Sequence, residues 1–143
     1  MSNPSNIMLL IGGTLSIIAS LTHVAIIFGG PAWYRFFGAG ERMALMAERG
    51  ELYPTLITLA IASVLFTWGL YAFSGAGLIL KLPLLAPALF AISSVYVLRG
   101  LAFIPIYLLR PDIMSPFWLW SSLICLTFGL IHTAGTWLAW PSL

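Results

Sequence analysis

Four apolar stretches of about 20 residues each limit what this sequence can fold into more than any other feature, because roughly that length crosses a bilayer as a helix. Hydrophobic residues make up 61% of the 143 residues, and charged residues only 7%. A soluble domain of this size could not bury so much apolar surface. The sequence therefore predicts an all-α polytopic membrane protein, a four-helix bundle formed by the single domain 1–143. The predicted spans are Ile7–Phe28, Tyr53–Phe73, Leu84–Leu109 and Phe117–Trp137.

Composition also excludes several kinds of site. The formal net charge is +2 without a basic run, so nucleic-acid binding is not indicated. The single cysteine, Cys125, excludes an internal disulfide and a multi-cysteine metal site. Haem held by His23 and His132 is disfavoured, because the two side chains are expected on the order of 10 Å apart in depth. We predict no metal and no cofactor.

The connection between spans one and two is the one long loop of the sequence, Gly29–Leu52. Its middle, Trp33–Arg49, interleaves aromatic residues and methionines with charged residues. That pattern predicts a short amphipathic helix at the membrane interface. Near the end of span three, Pro105 and the segment Arg110–Asp112 predict a kink or an unwound turn.

Basic residues concentrate on one side of the predicted spans. Arg35, Arg42 and Arg49 lie in loop one and Arg110 in loop three, whereas Lys81 marks the other side. Because cytoplasmic loops carry an excess of Lys and Arg, loops one and three are predicted in the cytoplasm. Both termini are then predicted outside.

Each span carries one stripe of small or polar residues, which is typical of the faces that pack against other helices in lipid. The stripes predict a partly polar interior. Their members are Gly12, Ser16, Ser20 and His23 in span one; Glu51, Thr55, Thr58, Ala62 and Gly69 in span two; Tyr96, Arg99 and Phe103 in span three; and Ser121, Cys125, His132 and Thr136 in span four.

Arg99 is the strongest single signal, since an arginine at the centre of a span costs about 2.5–3.5 kcal/mol on insertion scales. Such a residue needs a partner or a water-filled cavity. Glu51 is the nearest plausible counter-ion, with Glu41 and Glu48 as alternatives from loop one. His23 is expected roughly 8 Å below the same boundary.

These residues suggest a ligand site formed by Arg99, His23, Glu51, Tyr53 and Tyr96. In this hypothesis Arg99 holds an anionic or polar head, Glu51 orients Arg99, and His23 exchanges a proton as the weak catalytic candidate. The alternatives are a structural ion pair for Arg99 and a helix-packing hydrogen bond for His23.

His132 is a weaker candidate than His23. Its predicted depth places it in the opposite half of the bilayer from Arg99.

Several short elements of the sequence resemble a family of small four-span bacterial membrane proteins. The shared elements are His23 with Gly29-Gly30 at the end of span one, Leu98-Arg99-Gly100 in span three, and Ser115-Pro116 followed by Ile124-Cys125-Leu126 in span four. The resemblance implies a four-span fold, marks His23 and Arg99 as shared features, and implies no activity. The sequence departs from this pattern in loop one, over Phe37–Arg42.

A looser likeness to DoxX-like four-span proteins, some of them tied to quinone-linked redox enzymes, rests on topology alone. The location expected from these features is the bacterial inner membrane, crossed several times.

The leading functional hypothesis is a membrane protein that binds, or acts on, a lipid-like or isoprenoid-like molecule within the bilayer. Small-molecule sites usually combine an apolar interior with a few polar groups, as the predicted cluster does. The alternatives are an accessory subunit or assembly factor that pairs with a partner membrane subunit, and a small transporter acting as a homodimer.

Overall fold

A computed structural model describes residues 4–143, and this part of the chain is all-α. Four helical stretches are long and apolar enough to cross a membrane, which confirms the predicted fold class and the number of spans: Asn6–Phe36, Leu52–Gly75, Leu85–Leu109 and Pro116–Ser142. The helices are α1 (Pro4–Phe36), α2 (Glu41–Glu48), α3 (Leu52–Gly75), α4 (Leu85–Leu101), α5 (Phe103–Leu109) and α6 (Pro116–Ala139), with 3₁₀ turns at Pro111–Ile113 and Trp140–Ser142.

The first helix breaks at Gly30 and then continues to Phe36, beyond the predicted end of span one at Phe28. Gly30 has φ 65° and ψ −153°, a conformation that side chains other than glycine rarely adopt. Pro31 follows, and its fixed φ and missing N–H suit the first turn of a new helical segment. The Gly-Pro pair therefore bends the chain close to the predicted end of span one, without ending the helix.

Loop one contains a shorter amphipathic helix than the predicted Trp33–Arg49. Residues 33–36 belong to the end of α1, and α2 begins only at Glu41. Between them, Gly38 and Gly40 have φ of 69° and 94°, which interrupts a helix. The periodicity of the loop indicated a helix correctly but could not show this glycine-based turn.

The third predicted span consists of two helices separated at Ala102. Pro105 has no N–H to donate to the carbonyl of Leu101, four residues earlier, and its ring crowds that carbonyl. The helix is thus interrupted at Ala102, in the part of span three where the sequence predicted a kink or an unwound turn.

Contacts divide the chain into two compact units. The larger unit comprises the described part of Met1–Ser16 together with Trp68–Leu143, and the smaller unit is Ile17–Thr67. The larger unit has a buried core formed by Leu9, Ala72, Ala76, Leu85, Leu89 and Ala139. The smaller unit has a core of Ile26, Tyr34 and Ala44.

Within the larger unit, α4 and α6 approach each other at two glycines. A Cβ atom on Gly100 would lie 2.6 Å from the Cα of Leu126, and one on Gly129 would lie 2.7 Å from the backbone nitrogen of Val97. Small residues permit such close contact between helices in lipid, where packing replaces the hydrophobic effect as the main attraction. The backbone of one helix thus lies directly against that of the other.

Replacing Gly129 with alanine is expected to destabilise the protein, because the new methyl group would overlap the backbone of α4. Overpacking of this kind costs about 1–3 kcal/mol. The free energy of unfolding, measured by titration with a denaturing detergent, should fall by that amount in Gly129→Ala. Ala134→Val enlarges an exposed position of the same helix and serves as the control, with an expected change within about 0.5 kcal/mol. Equal stability of the two variants would contradict the close contact.

Candidate functional site

A buried polar network joins α1, α4 and α6 in the larger unit. His132 is fully buried, and its Nδ1 lies 2.8 Å from the carbonyl oxygen of Phe128. Because a carbonyl only accepts, Nδ1 carries a proton and donates it, which leaves Nε2 of the ring for a second partner. That Nε2 lies 3.5 Å from Ser16 Oγ, which in turn lies 2.9 Å from the hydroxyl of Tyr96.

The shapes of neighbouring residues hold this network in place. Gly12 leaves room for the imidazole, since a Cβ there would lie 2.9 Å from His132 Cε1. The ring of Tyr96 meets Trp68 and Phe128 edge-on, with centroid distances of 5.0 and 5.6 Å. These contacts fix the direction of each hydroxyl and ring nitrogen.

The Ser16–His132 pair is better suited to structure than to nucleophilic catalysis. Ser16 is fully buried, and Tyr96 occupies the other side of its hydroxyl, so a substrate has no access. Asp112, the one acid in the sequence of this unit, is held by Arg110 at 2.9 Å. The pair therefore has no carboxylate to orient the imidazole.

Arg99 lies on α4 and reaches the first turns of α6. Its Nη1 and Nη2 each donate at 3.1 Å, to Ser122 Oγ and Ser121 Oγ respectively. The guanidinium carbon lies 4.8 Å from the ring centroid of Trp118, a cation–π contact. The half-buried side chain thus carries its charge towards the end of α6 that follows loop three, as arginines in membrane helices tend to do.

The four acidic residues of the chain are all paired with other arginines. Glu51, predicted as the nearest counter-ion of Arg99, lies 2.6 Å from Arg49 Nε. Glu41 and Glu48 each lie 2.7 Å from Arg35, and Asp112 pairs with Arg110. Serine hydroxyls and an indole ring therefore surround Arg99 where the sequence suggested a carboxylate.

The other predicted ligand residues lie in the smaller unit and have local surroundings. His23 is half-buried, and its Nδ1 donates to the carbonyl oxygen of Ala19 at 2.8 Å, one turn earlier. Tyr53 is 54% exposed at the start of α3. The shared ligand site of His23, Glu51 and Tyr53 with Arg99 and Tyr96 stays a prediction.

An open apolar groove of about 850 Å³ lies between α4 and α6. Its lining residues recur at spacings of three and four on both helices, so each helix contributes one face: Phe90, Ser93, Ser94, Val97 and Leu98 on α4, and Thr133, Thr136, Trp137, Trp140 and Pro141 on and just after α6. From Phe90 to Leu98 the groove is about 12 Å long, at 1.5 Å per residue.

The groove was not predicted, although the residues that line it recur at helical spacing in the sequence. The predicted stripes were selected for small and polar residues, whereas the groove faces mix hydroxyl residues with large aromatic ones. Ser16 was likewise not distinguished from Ser20, which shares its stripe but donates to the carbonyl of Ala62 at 2.7 Å.

Among residues 4–143, no group of three His, Cys, Asp or Glu side chains is arranged to hold a metal ion. In the larger unit, the groove walls and the Arg99 cluster combine accessible surface with polar groups that a ligand could contact.

The hydrogen bond between Ser16 and Tyr96 is expected to stabilise the fold measurably. A double-mutant cycle with Ser16→Ala and Tyr96→Phe should give a coupling energy of about 0.6 kcal/mol and at most about 1.7 kcal/mol, the range for hydrogen bonds between membrane helices. Unfolding by denaturing detergent measures it. Ser63→Ala is the control, since the Ser63 hydroxyl bonds only the carbonyl of Leu59 within its own helix. Additive effects of the two substitutions would contradict a direct bond.

Acid is expected to loosen the ion pairs of loop one. Arg35 donates to Glu41 and holds the pKa of that carboxyl below its usual 4.5. A lowered pKa in the folded state gives stability at neutral pH that is lost as the pH falls through that pKa. Protection factors of the α2 amides, followed from about pH 7 to about pH 3, should therefore decrease. Glu41→Gln should show a smaller decrease, and an equal decrease in both proteins would contradict the assignment.

Comparison with protein-family models, with curated proteins and with solved structures finds no match for this chain. The groove, the buried network and the Arg99 cluster are therefore the observations that can support a function.

Proposed function

We propose that this integral membrane protein binds a lipid-like molecule and places one hydrocarbon chain, acyl or isoprenoid, in the groove between α4 and α6. The groove itself is the observation that carries the proposal. At about 850 Å³ it lies within the range of sites for small organic ligands, which is about 300–1,000 Å³.

The length and position of the groove favour a chain that enters from one leaflet. It covers about 12 Å of helix, close to half of a hydrocarbon core about 30 Å thick. Trp137 and Trp140 line it near the end of α6, and tryptophans prefer the interface between hydrocarbon and headgroups. A chain anchored at that interface would reach towards the centre of the bilayer along the groove.

The walls of the groove suit hydrocarbon despite their hydroxyl groups. Ser93 donates to Leu89, Ser94 to Phe90 and Thr133 to Gly129, all at 2.7–2.8 Å and all to carbonyls of the same helix. Their protons are therefore used within the helices, and the side chains present mainly carbon atoms. A bound molecule meets no free charge on these walls.

Filling the groove is expected to remove the bound chain. Thr133→Phe places a ring in the groove, whereas Thr127→Phe places the same ring on an exposed position of α6 that does not line it. The two threonines are matched, since each bonds the carbonyl four residues earlier, at 2.7 and 2.9 Å. Native mass spectrometry with phosphatidylcholine and farnesol as probes should show retention by the wild type and by Thr127→Phe, and loss of most of it in Thr133→Phe.

Two results would contradict this proposal. One is equal retention of both probes by the two phenylalanine variants. The other is a wild-type protein that carries neither probe but purifies with a second polypeptide in fixed ratio, which would favour the accessory-subunit hypothesis.

A further inference from the structure

Among residues 4–143, the positive charge of Arg99 has no carboxylate partner. Each of the four acidic residues lies within 2.6–2.9 Å of Arg35, Arg49 or Arg110. The partners of Arg99 within residues 4–143 are two serine hydroxyls and the ring of Trp118, all uncharged. An uncompensated charge on a membrane helix is costly, and an anion from outside the chain would offset that cost.

The guanidinium also keeps donors for such an anion. It has five N–H groups in a rigid fork, and the bonds to Ser121 and Ser122 use two of them. Ser121 is itself fixed by donating to the carbonyl of Trp118 at 3.2 Å. The serines therefore orient the fork, and the remaining N–H groups suit the paired oxygens of a phosphate.

We propose that Arg99, oriented by Ser121 and Ser122, binds the phosphate of an anionic lipid headgroup. A lipid is favoured over a soluble phosphate because the neighbours of Arg99 face hydrocarbon: Leu98 is 68% exposed and Leu101 is 40% exposed on a helix that spans the membrane. A phosphate approaching along this face comes from the leaflet that borders loop three, where α6 begins.

This site is separate from the groove and does not depend on it. On α4 the groove ends at Leu98, next to Arg99, but the guanidinium extends away from it to Ser121 and Ser122 in the first turns of α6, whereas the α6 wall of the groove begins at Thr133 and runs to Trp140. Ser122 and Thr133 are about 16 Å apart along the helix, at 1.5 Å per residue. The two sites therefore contact opposite leaflets and take separate lipid molecules.

The test is competition between two phospholipids that differ in net charge. Wild-type protein in an equimolar mixture of phosphatidylglycerol and phosphatidylcholine should retain phosphatidylglycerol with about fivefold preference, the effect of one arginine near a membrane surface. Native mass spectrometry measures the ratio. Arg99→Gln, which keeps a polar side chain but loses the charge, should show no preference. Arg42→Gln removes one charge from exposed loop one and should behave as the wild type.

Three results would overturn the proposal: equal retention of the two lipids by the wild type, an undiminished preference in Arg99→Gln, or loss of the preference when millimolar inorganic phosphate is added. The last would assign the site to a soluble anion. If Arg99→Gln does not fold, Arg99→Lys replaces the fork with a single ammonium group and should reduce the preference. Thr133→Phe should keep the preference, so failure of the groove proposal and failure of this one are distinguishable.

Discussion

The close approach of α4 and α6 is the constraint on which the larger unit depends. Gly100 and Gly129 allow backbone to meet backbone, and this contact sets how the two helices are rotated about their axes. With that rotation fixed, Arg99 reaches Ser121 and Ser122, and Tyr96 turns towards Ser16. The groove is formed by the adjoining faces of the same two helices. One steric condition therefore governs both candidate sites.

The fold could be predicted from the sequence because the bilayer imposes a minimum length on each apolar helix and requires every backbone group to be bonded within it. The places where helices are interrupted also have a cause in the sequence, since Gly30-Pro31 and Pro105 disturb a helix through their own covalent structure. What hydropathy could not supply was the length of α1 beyond its bend, because a helix that continues into the interface no longer needs to be uniformly apolar.

The partners of polar residues were harder to predict. Periodicity places Arg99 on an inward face, but it does not say which helix lies opposite or at what height. Electrostatics suggested Glu51, which lies beside Arg49, and the guanidinium instead meets hydroxyl groups that carry no charge. His132 was ranked below His23 on depth, yet His132 is the histidine that contacts a distant helix, through Ser16. Depth alone did not reveal this contact. The space that Gly12 leaves for the imidazole depends on how α1 packs against α6, which the depth of one residue does not show.

The buried network also has a consequence for the order in which the chain assembles. The contacts of α4 with α6 connect neighbouring stretches of sequence, so they can form as a hairpin as soon as both have entered the bilayer. Ser16 and His132 are 116 positions apart, and their contact must wait for the final helix. Until α6 has inserted, the hydroxyl groups of Ser16 and Tyr96 lack His132 as the third member of their network. The hydrocarbon core of the bilayer offers no water in its place. A chain interrupted before α6 would therefore keep the bond between Ser16 and Tyr96 but lack the imidazole beside it, and Arg99 would lack both of its serine partners inside the membrane.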